Sequence, residues 1–296
     1  MRSCRMQVKL APNPERRGPM GYKTILTVLT NANQQKQLDS AVAMTRREDA
    51  HLDVFCMGVD HTQSGYYYAG ASAYVFQESI DKAVAAAGEL EEKVRDRLDP
   101  EDIRWSVDSA VAQVGGLSTL VGMRARYSDL VVLNRPYGEG APADAEAVTE
   151  AALFEGAAPV LIVPDELKEP FGKKVMIAWN QSNEALAAVR RALPLLIAAE
   201  SVEITVIDPS PSGPERSDPG GALCQMLTRH GVKAEISVLA RTLPLISDIL
   251  NRRATEIGAD MLVMGAYGHS RFREAILGGA TRNMLEKAQV PVLMAR

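Results

Sequence analysis

Between Gly265 and Arg282 the chain reads Gly-Ala-Tyr-Gly-His-Ser-Arg-Phe-Arg-Glu-Ala-Ile-Leu-Gly-Gly-Ala-Thr-Arg. Glycine lets backbone approach an anion closely and adopt φ > 0, so that successive N–H groups converge on it. Gly265 and Gly268 directly follow an apolar run, Met261–Met264, and Gly278 and Gly279 open an amphipathic one. A helix starting there adds first-turn N–H donors and a partial positive charge. His269, Ser270, Arg271, Arg273 and Arg282 add donors or positive charge for a polyphosphate. The alternative reading is a glycine-containing connection without a ligand. No Gly-Lys-Ser/Thr triplet follows, so this is not a P-loop, and it does not fit the Gly-x-Gly-x-x-Gly dinucleotide fingerprint, which belongs on a first strand.

The elements that would position this loop occur twice. The runs Tyr22–Asn31, His51–Asp60, Ser128–Leu133 and Ala158–Val163 are answered in order by 172–180, 202–208, 259–264 and 290–295. Each is short, rich in β-branched residues and apolar on both parities, which is how a strand buried on both faces reads. Ile103–Val107 and Lys233–Leu239 fit a further strand in each half. Helical spacing covers Asn33–Arg47, Ala73–Leu98 and Gly115–Tyr127, then Asn183–Ala199, Glu215–His230, Leu243–Ile257 and Gly279–Lys287. Asn183 is the expected N-cap of its helix, and Gly231 the expected stop after His230. Alternation of this kind predicts an α/β fold with right-handed crossovers: two tandem open parallel five-stranded sheets flanked by helices. The boundary falls where Pro, Glu and Lys interrupt the pattern. It gives a tail at 1–20 expected to be disordered, with Met20 a candidate initiator, a first domain at 21–167 and a second at 168–296. Ligands of such sheets bind at the carboxyl ends of the strands, here after Trp179, Ile207 and Met264.

The composition narrows the function classes. A net charge of −4 and 5% aromatic residues among 296 give no electrostatic footprint or stacking platform for nucleic acid. No apolar stretch reaches membrane-spanning length. Cys4, Cys56 and Cys224 are scattered, which argues against a disulfide framework or zinc site and suits a reducing cytoplasm. His51 and His61 are isolated histidines, and no Ser/His/Asp triad assembles from spacing alone. Asp53, Asp60, Asp129, Asp208 and Asp260 flank strands, and most read as strand-start or turn residues.

Gly265-x-x-Gly268, nine residues, then Gly278 resembles the ATP-binding signature of the universal stress protein family, as do the strand pattern of both halves and the ending Val290-Pro-Val-Leu-Met294. The resemblance covers Tyr22 to Arg296 as a tandem pair with the strand order 3-2-1-4-5 of the adenine nucleotide alpha hydrolase-like fold. It implies ATP in the second half, with the phosphates held through backbone groups of Gly265, Gly268, Gly278 and Gly279; from their places in the loop and helix start, Ser270, Arg271, Ala280 and Thr281 join them as candidate contacts, and His269 either touches a phosphate or projects into solvent. Asn180, a backbone group at Val206, and Met264 would lie around the nucleoside; apart from the resemblance, Asp208, which follows the second strand, is the residue placed to reach Mg2+ on the phosphates. Two departures stand out: position 279 is Gly where the signature has Ser or Thr, and position 180 is Asn where members often have Asp.

The first half departs further. After Leu133 it reads Asn-Arg-Pro-Tyr-Gly-Glu-Gly-Ala-Pro, without the second glycine-helix element and with Glu139 and Asp144 to repel phosphate. No ATP is expected there, while the Tyr66–Tyr68 cluster reads as a packed loop or a contact. The leading reading is a cytoplasmic ATP-binding stress-response regulator in which nucleotide acts as a conformational switch. Any hydrolysis would be slow, since no general base or phosphoryl-transfer Lys/Arg arrangement is evident. The alternatives are a nucleotide-independent interaction protein and a nucleotide-dependent enzyme. Domains of the family pair through their last strand, so Pro159–Val163 and Pro291–Ala295 are expected to pair within the chain, with a homodimer and a protein partner as further contacts.

Overall fold

The computed structural model describes residues 21–61, 73–138, 140–210, 217–266 and 279–296, and side chains from Gln77 onward in the helix that starts at Ala73. Ten strands and eight helices are assigned among them. The first half runs β1 (Thr24–Leu29), α1 (Gln35–Glu48), β2 (His51–Asp60), α2 (Ala73–Leu98), β3 (Arg104–Gln113), α3 (Val114–Ala125), β4 (Leu130–Asn134), α4 (Ala145–Phe154) and β5 (Val160–Val163). The second runs β6 (Lys174–Trp179), α5 (Asn183–Ala198), β7 (Ser201–Ile207), α6 (Gly221–Arg229), β8 (Ala234–Leu239), α7 (Ile246–Ile257), β9 (Met261–Gly265), α8 (Ala280–Lys287) and β10 (Val292–Ala295).

The strands form one open sheet in the order β3-β2-β1-β4-β5-β10-β9-β6-β7-β8. Each half keeps the order 3-2-1-4-5 in parallel. The two five-stranded sheets expected from the sequence are therefore fused edge to edge, and the fusion is antiparallel: Val292 pairs with Ile162, Leu293 with Leu161 and Met294 with Val160. Each half places its switch point between its first and fourth strands, with Ile25 opposite Leu130 and Val175 opposite Met261.

Strand side chains alternate between two cores. One lies under α1, α2, α5 and α6 and takes Ile25, Leu52, Val54, Val175, Ile177 and Ile204. The other lies under α3, α4, α7 and α8 and takes Leu26, Phe55, Met57, Met176, Leu262 and Met294. Both cores run through both halves, so burial is divided by sheet face and not by position along the chain. Asp129 and Asp260 start strands in the same way: Asp129 accepts from the Lys23 and Thr24 amides (2.8 and 3.0 Å), and Asp260 from those of Lys173 and Lys174 (3.0 and 3.1 Å).

Several boundaries differ from the sequence reading. β3 continues to Gln113 because, on an edge, it needs no apolar pattern; half of its residues are exposed and only two are buried. Helix α4 was not delimited by spacing, since it is short and alanine-rich. The N-cap of α5 is Ser182, not Asn183: the Ser182 hydroxyl accepts from the Ala185 amide (3.1 Å), and Asn183 is the first helical residue. Gly231, at φ +80, stops α6 as expected. The tail at 1–20, the Tyr66–Tyr68 cluster and Glu139 lie outside the described residues.

Candidate functional site

The carboxyl edge of the second half brings together the ends of β6, β7 and β9 and the starts of α5 and α8. After Trp179 the chain turns sharply. The Asn180 carboxamide oxygen accepts from the Ser182 amide (3.1 Å), Gln181 is left-handed at φ +63, and Ser182 then caps α5. This turn drives the first turn of α5 against the end of β9. A Cβ on Gly265 would lie 2.5 Å from the Ala185 nitrogen and 2.7 Å from the Glu184 carbonyl carbon. No side chain fits in that space, so glycine is required by close approach of two backbones.

Helix α8 starts beyond the loop. Gly279 is its N-cap, exposed, at φ −69 and ψ 166, with no side-chain cap and, among the described residues, no atom within 4 Å of a built Cβ. The Asn283 amide bonds back to the Gly279 carbonyl (3.1 Å), which sets the first turn over Ala280, Thr281 and Arg282. Ala280 is exposed and Thr281 half-buried. Between Gly265 and Gly279, the expected residues Gly268, His269, Ser270, Arg271 and Gly278 lie outside the described residues, as does Arg273.

The expected nucleoside contacts diverge. Val206 is buried in the core under α5 and α6, level with Trp179 on one side and Val238 on the other. Met264 is buried in the opposite core. Asn180 is exposed, with its carboxamide oxygen committed to the turn. Asp208 is exposed and left-handed (φ +48), and its amide is bonded to Leu239 O (2.8 Å). Among the described residues no group of three or more His, Cys, Asp or Glu could hold a metal ion. Nor does any described helix have the length and apolarity to cross a membrane.

Arg282, expected among the charges for a polyphosphate, instead lies across the junction of the halves. Its guanidinium sits over the Tyr137 ring, 5.0 Å from the centroid. The Arg135 guanidinium donates to Glu286 O (3.4 Å) and Pro164 O (3.0 Å), so the segment after β4 holds α8 at two points. Sequence spacing gives no sign of either contact. It also passes over Trp179, whose indole N–H is buried at the end of β6 without a hydrogen-bond partner among the described residues. Such a donor costs about 1–3 kcal/mol.

At the opposite, amino edge the fold brings together a trio that linear spacing does not reveal. His51 Nε2 lies 3.0 Å from Ser106 Oγ and 3.4 Å from Asp53 Oδ1. Ser106 donates its proton to Asp53 in a short bond. Burial raises the Asp53 pKa, but hydrogen bonds from His51 and Ser106 outweigh it and hold the carboxyl below its ordinary value. A hydrolytic triad needs the serine proton directed at the imidazole and the carboxylate on the other ring nitrogen. Here one nitrogen faces both partners, so the trio lacks a poised nucleophile.

Residues 172–296 match the model of the Universal stress protein family. Universal stress protein Slr1230 of Synechocystis sp. is 27% identical over 139 residues, 47% of this chain and 47% of the relative. The matched segment thus spans about half the length of that curated relative. A universal stress protein from Archaeoglobus fulgidus superposes with a TM-score of 0.69 at 16% identity, covering 92% of this chain and 98% of that one. The functionally unknown protein PA1789 from Pseudomonas aeruginosa gives 0.54 at 14%, covering 93% and 92%. These two share the fold over more than nine-tenths of this chain. The second half of the chain, residues 172–296, is thus what matches the Universal stress protein family, and the chain as a whole shares its fold with the two solved structures.

Proposed function

We propose that this chain is an ATP-binding stress-response regulator with one nucleotide site, in the second of two domains, 21–167 and 168–296. The observation that carries the reading is Gly265 pressed against the first turn of α5. Together with the exposed start of α8 at Gly279, this puts a glycine-only strand end and a helix N-terminus on one sheet edge at a topological switch point. The triphosphate would lie along Gly265, Gly268 and Gly278–Thr281, and the nucleoside near Asn180 and the main chain at Val206 and Met264, whose side chains are buried on opposite faces of the sheet, with Mg2+ carried by the phosphates.

Occupancy would act as a switch through α8, because that helix is tied to the first half by Arg282 on Tyr137 and by Arg135 on Glu286. Coupling of this kind needs the nucleotide to prefer one arrangement of that contact over another. Hydrolysis would be slow. Since β5 and β10 pair within the chain, a homodimer or protein partner would use another surface, in the cytoplasm.

Isothermal titration with ATP, ADP and AMP tests the reading. One ATP per chain supports it. No heat and no thermal shift at millimolar ATP would replace it with a nucleotide-independent interaction protein of the same fold.

A further inference from the structure

The switch point of the first half matches that of the second residue for residue, and its polar groups are arranged differently. Asn134 ends β4 as Gly265 ends β9, and Gln37 is the third residue of α1 as Ala185 is of α5. In the second half these positions are two bare backbones in contact. In the first half a side-chain network fills the same place.

The Gln34 carboxamide oxygen accepts from the amides of Thr30 (2.7 Å) and Asn31 (3.1 Å), the two residues after β1. The Gln34 amide nitrogen donates to Gln37 Oε1 (3.1 Å). That same oxygen accepts from the Asn134 amide (3.0 Å), the backbone donor equivalent to Gly265 N–H. The Gln37 amide nitrogen donates to Thr27 Oγ1 (3.0 Å) and to Val28 O (2.7 Å). Two carboxamide oxygens thus hold three main-chain N–H groups at the ends of β1 and β4, and Gln37 is almost fully buried. Backbone N–H groups converging at such an edge are what an anion uses; here each has an internal acceptor.

The space that remains beside the network carries an acid. A cavity of about 440 Å3 is bounded by Thr30, Gly58, His61, Ser79, Lys82 and Asp144. The Asp144 carboxylate is buried there, 3.5 Å from His61 Nε2, while the Lys82 ammonium is paired with Glu78 at 2.7 Å.

We infer that Gln34 and Gln37 are specificity-determining residues: they form an internal carboxamide plug that closes the first half to phosphate. The inference rests on the reading that the second half takes phosphate at the equivalent edge. It accounts for one site in a fold with two switch points by a specific pair of side chains, beyond the missing glycines.

The test is a titration of the isotope-labelled full chain with inorganic phosphate, followed at backbone amides. In wild type the Thr30, Asn31 and Asn134 amides should exchange slowly with solvent and keep their shifts. Gln34→Ser leaves a hydroxyl to cap α1, as Ser182 caps α5, and frees two donors; its Thr30 and Asn31 resonances should move with phosphate. Gln34→Glu keeps an acceptor oxygen in place and should behave as wild type. Movement of the wild-type Thr30 or Asn31 resonances, or fast exchange there, would overturn the plug. So would a folded Gln34→Ser protein whose amides stay still. Gly265, Gly279 and Ala280 resonances report on the second half in the same spectra, so failure of the ATP reading and failure of the plug are seen separately.

Discussion

Gly265 and Ala185 meet backbone to backbone, with space for a hydrogen and no room for a methyl group. The contact locks the end of β9 to the first turn of α5, so the strand end and helix start that define the switch point are one unit. Gly265→Ala should therefore be felt in two measurements. Overpacking against main chain costs about 1–3 kcal/mol, which a urea titration will show as a lower midpoint with an unchanged slope. The same displacement moves α5 away from the mouth, so ATP affinity should fall as well. A variant of wild-type stability would mean that α5 yields freely.

Gly279 is the contrasting glycine. It has open space around its Cβ direction and an ordinary negative φ, so a side chain costs nothing there. Gly279→Ser supplies the missing N-cap hydroxyl, worth roughly a few tenths of a kcal/mol over glycine, together with the hydroxyl that the family signature carries. One added hydrogen bond to phosphate is worth about 1 kcal/mol net, or roughly fivefold in Kd. Gly279→Asp caps the helix equally well but sets a negative charge in the cradle, and should weaken ATP at least about tenfold with no loss of Tm. Calorimetry on the pair separates helix stability from phosphate binding.

The strands were legible because burial on both faces leaves an unmistakable apolar run, and Gly265 because it sits at the end of one. Other features depend on partners far away in the chain. Ser182 outcompeted Asn183 as cap once the Asn180 turn set the entry angle of α5. The fusion of the two sheets was implied by the family resemblance as a pairing of Pro159–Val163 with Pro291–Ala295, but the shared cores that result from it were not. Gln34 and Gln37 belong to no motif, and their role follows only from β1 and β4 being neighbours. Arg282 looked like a phosphate ligand in sequence, and Tyr137 is 145 positions earlier in the chain.

Cys56 is fully buried on β2, and burial, reinforced by the Glu91 charge, pushes its thiol up to about 12. The thiolate is the reactive species, so at pH 8 the native protein should leave Cys56 unmodified by iodoacetamide. Cys224 is half-buried, with its thiol donating to Ala234 O (3.5 Å). Peptide mapping after alkylation should show Cys56 labelled only once urea unfolds the sheet. Rapid native labelling of Cys56 would mean that α2 opens readily from β2.

Beneath the candidate site, β7 carries a buried carboxylate. Glu203 receives Arg253 Nη2 at 2.6 Å and Nε at 2.9 Å, and Thr205 Oγ1 at 2.8 Å. Arg253 also reaches Ser237 on the edge strand β8 (3.3 Å), so one guanidinium from α7 joins β7 to β8. Removing one member of a buried pair strands the other, at about 3–5 kcal/mol. Arg253→Met should thus destabilise by about that amount, the larger share arising from Glu203 left charged and dry. The double variant Arg253→Met with Glu203→Met removes the stranded charge and should recover most of the loss, since apolar replacement of a whole buried pair is often neutral. Urea midpoints of the wild type, both single variants and the double variant give the coupling directly. If Arg253→Met alone is neutral, water reaches Glu203, and β8 is held by its ladder and by α6 alone.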